Sequence, residues 1–176
     1  MANFNNNVWY QVYLNESKDE SLNGTPLYAR NTGAAFVRTS KESDYEQYWQ
    51  FYAVDSDYYV MRTRSGGPDA YLGAKLKEEE TTAGRSAPEM RRGNMTDDSA
   101  LWKITPWGDG TFYLSNKQNK TDWHLGKRKD DSLLVMDSNV TGQQNGQRWS
   151  FLSRERIIDD SRYSTIKVCI EVGNPN

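Results

Sequence analysis

Residues 144–151, QNGQRWSF, place a tryptophan where a polar run gives way to an apolar one, and the arrangement recurs. Trp49 stands in EQYWQF (46–51) and Trp102 in SALWKI (99–104). The three tryptophans therefore lie 53 and 47 residues apart, each with a large apolar residue two places on (Phe51, Ile104, Phe151). A repeat of this length calls for a test of self-similarity before any local reading. Laying Trp49 on Trp102 brings YYVMRTRSGGPDAYLGAK (58–75) onto TFYLSNKQNKTDWHLGKR (111–128) without a gap. Asp69 then meets Asp122, Tyr71 meets His124, and Leu72-Gly73 meets Leu125-Gly126. Each copy reads as a short alternating strand, a polar turn, and an Asp-x-aromatic-Leu-Gly segment that opens a second strand.

A looser copy opens the chain, with WYQVYLNES (9–17) as its first strand and TPLYAR (25–30) as its second. Third strands are expected at AAFVRT (34–39), PEMRR (88–92) and SLLVMDS (132–138), and the tryptophan runs supply the fourth. STIKVCIEV (164–172) alternates β-branched residues and is expected to add a closing strand. No window sustains a helical period with caps at both ends. WGDGT (107–111) sets Asp109-Gly110 between two strand-like runs, a hairpin signal because both residues tolerate positive φ.

The expectation is one all-β domain over 1–176, with repeats near 8–56, 57–109 and 110–172 around a pseudo-threefold axis. Twelve short strands would close into a barrel, which removes exposed sheet edges. Trp49, Trp102 and Trp149 would be its core wedges, since equivalent repeated indoles bury large areas.

Composition narrows the function. The 176 residues include 6 Trp and 11 Tyr, enough ring area for a core despite only 36% hydrophobic content. A net charge of −2 with mixed signs gives no nucleic-acid footprint. No apolar run approaches the length needed to cross a membrane as a helix. The start, MANFNNNVWY, has neither the basic nor the apolar part of an export signal, and Cys169 has no cysteine to pair with. A cytoplasmic protein is expected, or a secreted one if a signal peptide has been removed. Asn15, Asn23, Asn94, Asn119 and Asn139 head Asn-x-Ser/Thr triplets, which would then be glycan acceptors. One His and one distant Cys offer no zinc set, and GDG is a hairpin and no phosphate cradle. No cofactor is expected.

The repeat resembles the β-trefoil of ricin-B-type lectins, whose copies end in Gln-x-Trp. QYW (47–49) and QRW (147–149) match that motif, and ALW (100–102) keeps only the Trp. GDGTFYLSN (108–116) is similar to the phrasing of fungal members. The resemblance covers essentially the whole chain. It implies a lectin with shallow glycan pockets, up to one per repeat, each using an acidic side chain, an aromatic platform and an amide near the Gln-x-Trp. Carboxylates and amides bond sugar hydroxyls while a ring covers the apolar face, and weak contacts gain from multivalency. The family's aspartate after the second-strand leucine is replaced here by Gly73 and Gly126, with Tyr28 at the matching place of the first copy. Asp69 and Asp122 either substitute from the turn or simply form it.

The third repeat is the best equipped, combining Asp122, Trp123, His124, Asp137, Asn139, Asn145 and Gln147. Trp123 faces Ala70 in the second copy, so the threefold core does not require it, and it is either a sugar platform or a barrel cap. Gln147 either contacts ligand or satisfies backbone beside its Trp, and Asn145-Gly146 also suits a turn. His124 and Asp122, two apart on a strand, form an acid–base pair in a catalytic reading, but no nucleophile accompanies them. Two alternatives stay open. One is a trefoil protease inhibitor acting through loops such as 75–100, where Glu78–Glu80 and Arg85, Arg91 and Arg92 lie. The other is a cofactor-independent cyclase or isomerase with His124 in a trefoil pocket.

Overall fold

The computed structural model describes residues 2–15, 17–24, 32–33, 35–38, 45–74, 85–86, 88–128, 133–137, 146–158 and 160–168. In chain order the first repeat holds β1 (Val8–Leu14), β2 (Ser17–Asn23), the two-residue β3 (Thr32–Gly33), β4 (Ala35–Arg38) and β5 (Trp49–Ala53). The second holds β6 (Tyr59–Thr63), β7 (Ala70–Gly73), the two-residue β8 (Arg85–Ser86), β9 (Glu89–Arg92) and β10 (Trp102–Pro106). The third holds β11 (Phe112–Asn116), β12 (His124–Lys127), β13 (Leu134–Asp137) and β14 (Trp149–Arg156). Among the described residues the only helical pieces are short 3-10 turns, at Tyr45–Gln47, Asp98–Ala100 and Ser161–Ser164.

β1, β5, β6, β10, β11 and β14 pair antiparallel in a ring, and β14 returns to β1 from Leu14↔Trp149 to Val8↔Arg156. The other strands form cap hairpins, β2–β4, β7–β9 and β12–β13. β3 adds to β9 and β8 adds to β13, so one repeat reaches into the next cap. Three units of four main strands, with the two-residue β3 and β8 as additions, stand around an approximate threefold axis and make a β-trefoil.

Register makes the repeats comparable residue by residue. Trp49 pairs with Thr63, Trp102 with Asn116 and Trp149 with Leu14, which aligns the barrel strands β1, β6 and β11. All three indoles are fully buried. Each indole N–H donates to the carbonyl of a leucine in its own repeat's second strand, Leu22 at 2.8 Å, Leu72 at 2.7 Å and Leu125 at 3.1 Å. A buried indole needs such a partner, and its burial contributes on the order of 5 kcal/mol. Val12, Met61 and Leu114 occupy equivalent places in the core between them. Below, Phe4 stacks on Phe51 with centroids 4.4 Å apart and meets Phe151 edge-on at 4.9 Å.

Three sequence expectations need correction. The first repeat's second strand is Ser17–Asn23, because Leu22 receives the Trp49 indole; the expected TPLYAR lies outside the described residues. Asn23, and not Tyr28, therefore matches Gly73 and Gly126. Of STIKVCIEV, residues 164–168 form no strand and 169–172 lie outside the described residues. β14 leaves no barrel edge for such a strand to close, since it pairs with β1 over its own length. The 3-10 turn instead packs outside the barrel, with Tyr163 edge-on to Trp9 at 5.0 Å. At the 107–111 hairpin it is Gly108 and Gly110 that take positive φ, 94° and 86°. Asp109 between them accepts hydrogen bonds from the Thr111 N–H and hydroxyl, which fixes the turn through its side chain.

Candidate functional site

Three positions lie beside each core tryptophan, one from the first strand of the repeat, one from the second and one two residues before the Trp. In the first repeat they are Gln11, Ser21 and Gln47, all buried. Gln47 Oε1 accepts from Gln11 Nε2 at 3.2 Å and from the Ser21 hydroxyl, so this cluster is internally satisfied. In the second they are Val60, Tyr71 and Ala100, which with Met95 and Leu101 form an apolar cluster against which Ile166 packs. In the third they are Tyr113, His124 and Gln147.

Here the chemistry differs. His124, only 8% exposed, stacks on Tyr113 with centroids 4.3 Å apart and planes 19° from parallel. Trp107 lies against both rings, 4.5 Å from Tyr113 and 5.7 Å from His124. Its indole N–H points at the Gln147 main-chain carbonyl from 3.5 Å, at the weak limit of a hydrogen bond. Gln147 Oε1 and His124 Nδ1 are buried with no hydrogen-bond partner among the described residues. Such orphans are uncommon and costly, so two beside one ring stack call for an explanation. Burial pushes the His124 pKa below its ordinary value, while a hydrogen bond to the Thr121 main chain and the charge of Asp122 pull the other way. His124 is thus a neutral ring, bonded through one nitrogen and presenting the lone pair of the other.

β12 explains which expected residues meet. Side chains alternate along a strand, so His124 and Gly126 share one face while Trp123 and Leu125 take the other. Leu125 is core, and Trp123 is half-buried against that same core. Trp123 thus turns away from the face that holds His124. Asp122 is exposed in the preceding turn. Asp137 sits opposite His124 in the β12–β13 register and is half-buried. Asn145 and Asn139 lie outside the described residues. At Gly126 an added Cβ would sit 3.3 Å from Gln147 Cγ, so the side chain of Gln147 fills the place where the lectin pattern has its aspartate.

Trp107 and Tyr113 were not foreseen as site residues. Their signal was the GDG hairpin itself, which folds the residues before and after it against one another. The ion pair of Arg148 with Asp109 ties that hairpin to the Gln147 segment. Of the acidic–basic loop 75–100, residues 75–84 and 87 lie outside the described residues. The two cavities described, of about 530 and 300 Å³, are not lined by His124. Among the described residues no three His, Cys, Asp or Glu side chains gather as a metal cage.

No protein-family model matches the chain, and no curated protein matches it in sequence. Solved structures do. ThreeFoil, a designed threefold-symmetric protein, superposes with a TM-score of 0.62 at 19% identity, over 82% of this chain and 97% of that one. A lectin from Polyporus squamosus gives 0.65 at 14% identity, over 86% of this chain and 50% of that one. An endo-β-galactosidase from Clostridium perfringens gives 0.65 at 17% identity, over 84% of this chain and 33% of that one. The β-trefoil is shared. The chain spans half of that lectin and a third of that galactosidase, and at these identities the likeness shows the fold alone.

Proposed function

We propose that this β-trefoil is a non-catalytic, lectin-like protein of the ricin-B type that binds carbohydrate weakly at one site, on the third repeat. The observation that carries the reading is the pair of orphaned acceptors, His124 Nδ1 and Gln147 Oε1, under two half-buried rings. The equivalent positions are self-satisfied in the first repeat and apolar in the second. Neighbouring hydroxyl donors on an apolar ring face are what such a site lacks, and a pyranose supplies both. The same fold occurs in the Polyporus squamosus lectin, whose structure holds Neu5Acα2-6Galβ1-4GlcNAc, and in the galactosidase, which adds support from proteins that handle glycans.

In this reading Trp107 swings off the weakly held Gln147 carbonyl and lies over the sugar beside Tyr113. Hydroxyls donate to His124 and Gln147, and Asp137 and Asp122 line the rim. Affinity per site is on the order of 1 mM, about −4 kcal/mol. The test is titration of wild type and Trp107→Ala with a panel of neutral and acidic saccharides, followed by calorimetry and tryptophan fluorescence. The expected result is one site per chain, an emission shift on binding, and at least tenfold weaker binding in the variant. No binding across the panel, or binding indifferent to Trp107, would remove the proposal.

A further inference from the structure

The cavity of about 530 Å³ lies away from the third-repeat face, between the β6–β7 turn, the end of β9 and the 162–167 segment. Among the described residues its walls carry Arg62, Arg92, Arg162 and Lys167 against a single carboxylate, Asp69. That is an excess of three positive charges in a chain whose net charge is −2. Arg162 is offset by Asp160 just outside. Arg92 and Lys167 form no ion pair with any described residue. Arg62 is buried at 1% exposure and its four hydrogen bonds all go to neutral oxygens, of Gln50, Pro68, Thr165 and Tyr163. A buried guanidinium with no carboxylate bonded to it thus faces two unpaired cations across a shared void, and the Asp69 and Asp160 carboxylates that act on it are two against the four cations gathered there.

We infer that this cavity binds an oxoanion, a sulfate or phosphate group, which Arg92 and Lys167 contact directly and Arg62 attracts from behind. Guanidinium and ammonium donors bond such oxygens strongly, and this volume is within the range of ligand pockets. The inference is independent of the sugar site on the third repeat.

The experiment follows backbone amide resonances while inorganic sulfate, inorganic phosphate, a sulfated monosaccharide and its unsulfated parent are added to the whole chain. Saturable shifts at Ser65, Gly66, Gly67, Asp69 and Thr165–Lys167 with the three anions, and none with the neutral sugar, are expected. Replacing exposed Arg92 and Lys167 together by Ala weakens anion binding about tenfold or more, and added sodium chloride weakens it in the wild type. Trp107→Ala leaves it unchanged. Tighter binding of the sulfated sugar than of free sulfate identifies a sulfated glycan as the source of the group, and equal affinity identifies the free ion. An absence of saturable shifts at these residues, or shifts that survive in the folded double variant, would overturn the inference.

Discussion

At His124 the environment sets a measurable proton balance. Folding takes the imidazole from water into the Tyr113 stack, where burial holds its pKa below the ordinary 6.5. Between the folded value and 6.5 the unfolded chain carries a proton that the folded chain does not. Stability therefore rises with pH across that window and is lost as the pH falls below about 6.5. Asp109 is held at about 2 by hydrogen bonds from Thr111 and by Arg148, and Asp160 is lowered by hydrogen bonds from Arg162. Their contributions are present above the ordinary carboxylate value of 3.8 and are lost only as the pH falls through the depressed folded values. The imidazole loss thus begins near pH 6.5, above the pH at which either carboxylate loss begins. Thermal melts from about pH 7 down to about pH 5 should show a falling Tm in wild type and a nearly flat one in His124→Phe, which keeps a ring but cannot take up a proton. A flat wild-type profile would mean that the buried ring accepts its proton in place.

Among the elements, the 160–168 segment depends most on one side chain. Arg62, on β6, donates to the carbonyls of Tyr163 at 2.8 Å and Thr165 at 2.7 Å, and Gln50 donates to Tyr163 from 2.9 Å. The guanidinium also lies over the rings of Tyr52 and Tyr163, at 5.3 and 5.1 Å. Burial lowers its pKa to about 10, still charged at neutral pH. Arg62→Met keeps the stem but leaves the Thr165 carbonyl without its donor and the Tyr163 carbonyl with Gln50 alone, at a cost of about 3 kcal/mol. Because the segment lies outside the barrel, the loss should appear first as faster tryptic cleavage at Arg162 and Lys167, with barrel tryptophan fluorescence unchanged. Equal cleavage rates would show that the segment is held by its other contacts, Tyr163 on Trp9, Gln50 on the Tyr163 carbonyl and the Met95 N–H on the Lys167 carbonyl.

The same contrast explains what could be read in the sequence. β5, β10 and β14 were legible because each carries a tryptophan at a fixed distance from an apolar partner. β7 and β12 followed from Leu-Gly in register. β2 was misplaced because its sequence, SKDESLN, shows no apolar alternation and only Leu22 marks it, while TPLYAR looks more strand-like. The 164–172 run had a strand pattern, yet its described part, 164–168, forms no strand, because β14 leaves no barrel edge free and edges are a property of the closed ring. At the site, His124 and Gln147 could be found from the repeat. Trp107 and Tyr113 meet His124 only once barrel and cap are packed together, since β11 and β12 lie in different sheets, and the facing of Trp123 depends on where β12 begins.

At the scale of the molecule, the threefold arrangement constrains the core and frees the flanks. Each indole bonds its leucine carbonyl in the same way, yet the three positions beside it are solved once with hydrogen-bonded amides, once with apolar packing and once with stacked rings. Divergence at the flanks is tolerated because those side chains, even the ones on barrel strands (Gln11, Val60 and Tyr113), stand on the face opposite the core residues Val12, Met61 and Leu114, while the backbone pairing stays the same. It follows that no repeat can be weakened alone. Trp49→Ala, Trp102→Ala and Trp149→Ala should each cost about 3–5 kcal/mol, a large part of the 5–15 kcal/mol typical of a domain. Each variant should still unfold in a single transition, with far-ultraviolet dichroism and tryptophan emission changing together. The tryptophan changes compare fully buried positions, so unequal costs would measure how far each surrounding cluster can collapse onto the void. A variant that melts in two steps would show that one repeat unfolds apart from the others, which a barrel closed through β1 and β14 does not permit.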